Sequence, residues 1–260
     1  MNALRYLEQL VESRGLRLGR PAVWVAETDS TNDDARDGAR HGAPHGSLWV
    51  ADYQLHGRGR MGRTWASSSA DNLLFSIVMR PLCAPAMLPP LALAVGLAVR
   101  SAVLQSIDDS HLMVKWPNDV VFGPSLQKLA GVLIESVIAD GRIAYVVVGV
   151  GLNVNQIDFS REVGERATSM AILAKHTFDR ALVLADILAE LDRMSERFFS
   201  YGFAALLDEM QRADALAGRN VTVGDVSGTA GGIESNGALR VVQDDGTVAL
   251  CASHEVIVRG

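Results

Sequence analysis

Ala51-Asp52-Tyr53-Gln54-Leu55-His56-Gly57-Arg58-Gly59-Arg60-Met61-Gly62-Arg63-Thr64-Trp65 is the most unusual stretch of this chain. It leaves a strand-forming apolar run, Ser47 to Tyr53, and then brings three glycines and three arginines together within seven residues. Gly57, Gly59 and Gly62 spell G-x-G-x-x-G. A dinucleotide-binding turn, however, opens a helix, and Arg60, Arg63, Thr64 and Ser67 to Ser69 supply neither its start nor a small apolar face. The partner lysine and catalytic-loop motifs of a kinase glycine loop are missing, as is a Walker A sequence. The composition fits an anion clamp: glycine lets backbone amides approach a ligand, and arginine's fixed donor fork matches carboxylate or phosphate oxygens. Three like charges this close repel, so the loop is expected to order around a bound anion. A solvated connection between strands is the bland reading of the same residues.

Working outward, Leu73 to Met79 and Ile143 to Gly149 also read as strands. Leu88 to Ile107 is apolar almost all round, and Asp179 to Phe199 repeats Leu184, Ile187, Leu188, Leu191 and Phe198 at helical spacing. Met1 to Leu10 reads as a short amphipathic helix and no signal peptide. After Gly218, strand-like pieces (Asn220 to Val223, Ala238 to Val242, Thr247 to Cys251, Glu255 to Val258) are separated by turns at Gly224-Asp225, Asn236-Gly237 and Asp245-Gly246. The expected class is α+β: a catalytic-sized mixed domain over 1–215 and an all-β tail over 216–260. A tail this short should dock on the larger domain or close into a small barrel that hides its edges.

The 260 residues suffice for a buried core, and 48% hydrophobic with 21% charged residues excludes a disordered chain. The formal charge of -6 argues against broad attraction to nucleic acid or an anionic membrane. Cys83 and Cys251, far apart and without other metal-ligand spacing, indicate neither a disulfide framework nor a zinc site. Leu91 to Val99 is too short to span a bilayer, so a cytoplasmic location is expected.

Four further segments carry polar groups in suggestive places. Asp29-Ser30-Thr31-Asn32 clusters short donors and acceptors before Asp33-Asp34-Ala35-Arg36, where helix capping and ligand contact are both open. Lys115-Trp116-Pro117-Asn118-Asp119 places an amide and a carboxylate where the chain turns, which simple turn formation also explains. Lys128 precedes the apolar run Leu129 to Ile134; judged alone, a solvent-facing strand-start lysine is the usual explanation. Gly149, Gly151, Asn153 and Asn155 end a buried strand, allowing either a bulge or a ligand against bare backbone.

In this order, Asp29 to Asn32, Gln54 with Gly57 to Trp65, Lys115 to Asp119, Lys128 to Gly131 and Gly149 to Asn153 resemble the biotin protein ligase family, and Ala167-Thr168-Ser169-Met170 extends the likeness weakly. The resemblance implies a class II synthetase-like catalytic domain, with a mixed β-sheet and flanking helices, followed by a small SH3-like β-barrel. It implies ATP-dependent activation of biotin as biotinyl-5'-AMP, then transfer to a lysine of the biotin carboxyl carrier protein of acetyl-CoA carboxylase, with Mg2+ accompanying the nucleotide.

Biotin contacts are implied for Ser30, Thr31, Asn32, Gln54, Gly57, Arg58, Gly59, Arg60, Trp65, Lys128, Gly131, Gly149 and Gly151. ATP contacts are implied for Arg58, Arg60, Arg63, Trp65, Lys115, Asn118, Asp119, Lys128 and Asn153, with Lys128 and Arg60 catalytic and the metal ligands unassigned. The chain departs from the pattern at Leu55-His56, in a long connection from Gly123 to Gln127, and in the β tail, which keeps pattern better than identity. Fewer than thirty residues precede Asp29, so no DNA-binding winged helix, operator DNA or membrane partner is expected; a homodimer is open. A lipoate or octanoate ligase is the nearest rival, and an RNA-binding module exploiting Arg58 to Arg63 is the rival of a different class.

Overall fold

Apolar runs of strand-forming residues, paired in register, build a seven-stranded mixed sheet. In this computed structural model, which describes residues 2–65, 70–107, 109–160 and 164–259, the strands are β1 (Ala22–Thr28), β2 (Leu48–Gln54), β3 (Leu73–Met79), β4 (Leu112–Lys115), β5 (Asp119–Phe122), β6 (Gln127–Ala139) and β7 (Arg142–Leu152). Their order is β1-β2-β3-β7-β6-β5-β4; only β1 and β2 run parallel. Ser67 to Ser69 lie outside the described residues.

Period two sends alternate side chains to opposite faces. Phe75, Ile77, Val146, Val148 and Val150 join the main core under α3 (Leu91–Leu104) and α5 (Arg180–Tyr201). Val78, Val147 and Tyr145 form a second cluster with Ala35 and Ala39 of α2 (Thr31–Arg40) on the opposite face. The hydrophobic α3 is buried nearly all round, as its sequence demands, and packs against α5. Asp179 caps α5, accepting from Ala181 N at 2.8 Å. The expected amphipathic start is α1 (Ala3–Ser13), whose Leu7 and Val11 are buried. Two short helices follow in the second half, α4 (Met170–Ala174) and, after α5, α6 (Leu207–Ala213).

The tail forms β8 (Asn220–Val223), β9 (Val226–Ile233), β10 (Leu239–Val242), β11 (Val248–Cys251) and β12 (Val256–Val258), ordered β11-β10-β9-β8-β12. The sheet is antiparallel and open, which corrects the expected closed barrel: β11 and β12 remain edges. Burial comes from docking instead. Val221, Val223, Ala230, Leu239 and Val241 belong to the same core cluster as α3 and α5, so the inner face is covered by the larger unit. Trp116, 2% exposed, donates Nε1–H to Gly237 O at 2.9 Å, and a Cβ on Gly237 would come within 2.6 Å of Pro90. The turn at Asn236-Gly237 therefore needs glycine both for its φ of +82° and for this contact. β9 escapes a reading by alternation because Gly228, Gly231 and Gly232 dilute it.

Candidate active site

Register decides which residues share the α2 face of the sheet. Ser76 pairs with Gly149 and Gly149 with Leu133; one row along, Gly151 pairs with Gly131. Three glycines on two adjacent strands thus leave a notch in the sheet surface. α2 starts beside it, close enough that a Cβ on Gly149 would overlap Asn32 Oδ1.

Ser30, Thr31 and Asn32 are buried, and Ser30 takes the N-cap position without a side-chain capping bond. Thr31 N donates to Gln54 Oε1 at 2.8 Å, and Thr31 Oγ1 lies 3.0 Å from the same oxygen. Ser76 Oγ, fully buried, lies 2.8 Å from Thr31 Oγ1 and 2.6 Å from Asn32 Oδ1, while Asn32 Nδ2 donates to Glu135 Oε2 at 2.7 Å. Thr31 and Asn32 thus join Gln54, Ser76 and Glu135 in one connected polar network at the end of the notch.

The glycine–arginine loop folds back as a strap. Trp65 N donates to Gly57 O at 2.9 Å and Gly59 N to Arg63 O at 2.7 Å, with the turn at Met61 and Gly62, both at positive φ. A Cβ on Gly57 would lie 2.5 Å from Trp65 O, so that glycine serves strap closure. Trp65 lays its indole on the notch, where a Cβ on Gly151 would come within 2.5 Å of the ring. Lys128 Nζ stands 5.3 Å from the same ring's centre and 2.8 Å from Asp119 Oδ1.

Arg58 Nη2 meets Asp33 Oδ1 at 2.8 Å and Glu135 Oε2 at 3.1 Å. Arg60 Nη1 donates to Asn118 Oδ1 at 3.3 Å, and Asn118 Nδ2 donates to Val132 O at 2.8 Å, tying strap to sheet. Burial pushes the Arg60 guanidinium below its usual range, with Asp119 opposing and Arg63 adding to the effect. Burial likewise lowers the Lys115 ammonium, against the pull of Asp119 and Glu255.

Together these residues wall an open cleft. Ser30, Thr31, Asn32 and Gln54 stand on it, as do Arg58, Gly59, Arg60 and Trp65 of the strap, and Asn118, Lys128, Gly131, Gly149 and Gly151. Off its walls are Gly57, Arg63, Lys115, Asp119 and Asn153. Asp119 holds Lys128, and Lys115 lies half-buried at the end of β4, paired with Asp119 across the β4–β5 hairpin. Arg63 turns outward to Glu255 of the tail at 2.9 Å. Asn153 turns inward, its Nδ2 donating to Thr168 O at 3.0 Å and Lys128 O at 3.4 Å, so it braces the backbone that carries Lys128. Sequence reasoning missed Val132, Leu133 and Val150 on the walls and Ser76 and Glu135 behind them. A signal existed for the last two: Ser76 is the lone polar residue in Leu73 to Met79, and Glu135 is the lone charged residue in the largely apolar stretch Val132 to Ala139.

Chemically, the cleft offers hydrogen bonds at the Thr31–Asn32–Gln54 end, an apolar floor of glycine backbone, Leu133 and Trp65, and cationic groups at Lys128 and Arg60. It suits a ligand with a polar head, an apolar middle and an anionic end. Among the described residues, no cluster of three or more His, Cys, Asp or Glu could hold a metal ion, and no helix is long and apolar enough to cross a membrane.

The chain belongs to the biotin/lipoate A/B protein ligase family, whose model matches residues 24–153. Within that family it is similar to the biotin–acetyl-CoA-carboxylase ligase of Mycobacterium tuberculosis, 33% identical over 272 residues and covering 96% of each chain. It is 31% identical over 209 residues to the bifunctional ligase/repressor BirA of Bacillus subtilis, covering 77% of this chain and 62% of that one. It thus spans less than two thirds of that relative's length. Among solved structures, the biotin protein ligase of Aquifex aeolicus in complex with biotin and ATP superposes with a TM-score of 0.79 at 28% identity, over 92% of this chain and 99% of that one.

Proposed function

We propose that the chain is an ATP-dependent biotin protein ligase. The observation that carries this reading is the convergence of Lys128 and Arg60 with the Thr31–Asn32–Gln54 network on one cleft, with the glycine notch between them. Biotin's ureido head fits the network, its aliphatic chain the notch under Trp65, and its carboxylate the end bordered by Lys128. In the first half-reaction a carboxylate oxygen attacks the α-phosphorus of ATP, the bond to the bridging oxygen breaks, and pyrophosphate leaves. In the second, a carrier lysine amine attacks the acyl carbon, loses a proton and expels AMP.

Both reactants of the first step are anions, so the barrier falls when fixed cations offset their repulsion and the charge growing on the transferring group. Lys128, held by Asp119 and Trp65, is placed for that task. Arg60 retains the adenylate from the strap side, Asn118 faces the nucleotide end, and Asn153 braces the backbone that carries Lys128. Magnesium would enter with the nucleotide: Asp119 is a carboxylate at the cleft's edge, and a hard dication that draws most of its ligands from phosphates and water needs no protein cage. The carrier protein of acetyl-CoA carboxylase is the proposed acceptor, and the cytoplasm the proposed location.

Biotin-dependent exchange of labelled pyrophosphate into ATP tests the reading. Exchange driven by lipoate or octanoate instead, or no exchange with any of the three, overturns it.

A further inference from the structure

Glu135 does not line the cleft, yet through two of its wall residues it joins the two halves of it. Its Oε2 accepts from Asn32 Nδ2 at 2.7 Å and from Arg58 Nη2 at 3.1 Å, while Oε1 lies 3.7 Å from Arg36 Nη1. Asn32 belongs to the buried head network; Arg58 belongs to the strap. One carboxylate oxygen is thus shared between a side chain fixed on α2 and a side chain on the loop that folds over the ligand.

The proton count along the network gives this contact a direction. Ser76 has one hydroxyl proton and Thr31 has one. Gln54 Oε1 already accepts from Thr31 N, so the arrangement that leaves no acceptor unserved runs Thr31 O–H to Ser76 Oγ, Ser76 O–H to Asn32 Oδ1 and Asn32 N–H to Glu135. Asn32 is then held at both ends of its amide: its oxygen faces Ser76, one N–H is taken by Glu135, and the amide cannot flip without losing both bonds. The second N–H remains to meet an acceptor in the cleft. Without Glu135 nothing in this network distinguishes the two amide orientations except Ser76, whose hydroxyl can reverse.

We infer that Glu135 is a positioning residue for the adenylation site: it sets the donor orientation of Asn32 through a hydrogen bond and holds the strap's Arg58 through charge, coupling recognition of the ligand's head to retention of the adenylate under the strap. The inference rests on the ligase reading above and extends it to a residue outside the cleft. The two roles differ in chemistry, so two variants separate them. Glu135→Ala removes both. Glu135→Gln keeps an amide oxygen that accepts from Asn32 but carries no charge for Arg58.

Steady-state pyrophosphate exchange, the lifetime of purified enzyme-bound biotinyl-adenylate and a thermal melt test this. Glu135→Ala should raise KM for biotin about tenfold or more, leave KM for ATP within about twofold, and shorten the adenylate lifetime. Glu135→Gln should restore KM for biotin to near the parental value while the adenylate lifetime stays short. Should Glu135→Ala fail to fold, that split in Glu135→Gln alone decides the matter. Parental biotin KM and adenylate lifetime in Glu135→Ala overturn the inference, as does a Glu135→Gln variant in which both stay lost or both recover together. A parent enzyme that performs no biotin-dependent exchange overturns the ligase reading instead.

Discussion

Lys128 Nζ lies 2.8 Å from Asp119 Oδ1, joining the start of β6 to the start of β5 across the strand pair that borders the cleft. A lysine on an exposed strand start would sweep through many rotamers; this one is confined by a carboxylate on one side and the Trp65 ring on the other. Its charge is therefore already in place when the anions arrive, which is the condition under which a cation lowers a barrier most.

Lys128→Ala should accordingly slow formation of biotinyl-adenylate by a factor corresponding to about 3 kcal/mol or more in the barrier. The side chain is 37% exposed, so the melting temperature should change little. Rapid-quench measurement of the adenylate checks the rate; a parental rate would return Lys128 to the surface-lysine reading.

Gly149→Ala should weaken biotin binding much more than ATP binding, because the new methyl group displaces the Asn32 amide from the head network. Calorimetric titration with each ligand separates the two effects. Equal losses for both would show that the strand, and not Asn32, had moved.

Arg63 and Glu255 join the strap to the tail, but both side chains are 57% exposed. Solvent screening makes such a pair worth about 0 to 1 kcal/mol, so a double-mutant cycle of Arg63→Ala and Glu255→Ala should give a coupling in that range that shrinks further in salt. A coupling well above it, insensitive to salt, would mark the pair as a structural latch.

Asp214, 5% exposed at the entry to the tail, accepts from Leu216 N at 2.9 Å through Oδ1, while Oδ2 is buried without a partner. Burial raises its pKa, against the pull of the Leu216 and Ala217 amides. The folded state then holds a proton that the unfolded state has released, so the stability contributed at low pH is lost as pH rises through the raised value. Asp214→Asn should therefore gain stability relative to the parent between acid and neutral pH. Urea melts at about pH 4 and pH 7.5 measure the difference between the two proteins; a difference that does not change with pH contradicts the raised pKa.

Much of the cleft's lining is legible in the sequence. The strap announces itself through Gly57 to Arg63 because clustered arginine on a glycine backbone has few structural uses, and the family resemblance of the other motifs points to most of the remaining cleft lining but not to Val132, Leu133 or Val150. Strands β2, β3 and β7 and helices α3 and α5 followed from periodicity, which reflects burial on one or two faces. The poorly legible elements were those whose pattern is broken: β9 by its glycines, and β4 and β5 by their length of four residues each.

Sequence alone determined the chemistry available here: which stretches alternate, where glycine leaves bare backbone, and which cations sit beside it. Only the tertiary structure decided how those parts face one another. Pairing Gly131 with Gly151 and Gly149 with Ser76 is a matter of register between strands far apart in the chain, and a slip of one residue would send each of them to the other face. The same pairing turns Asn153 inward and brings Glu135 to both Asn32 and Arg58, while docking on the larger core covers the inner face of the open five-stranded sheet.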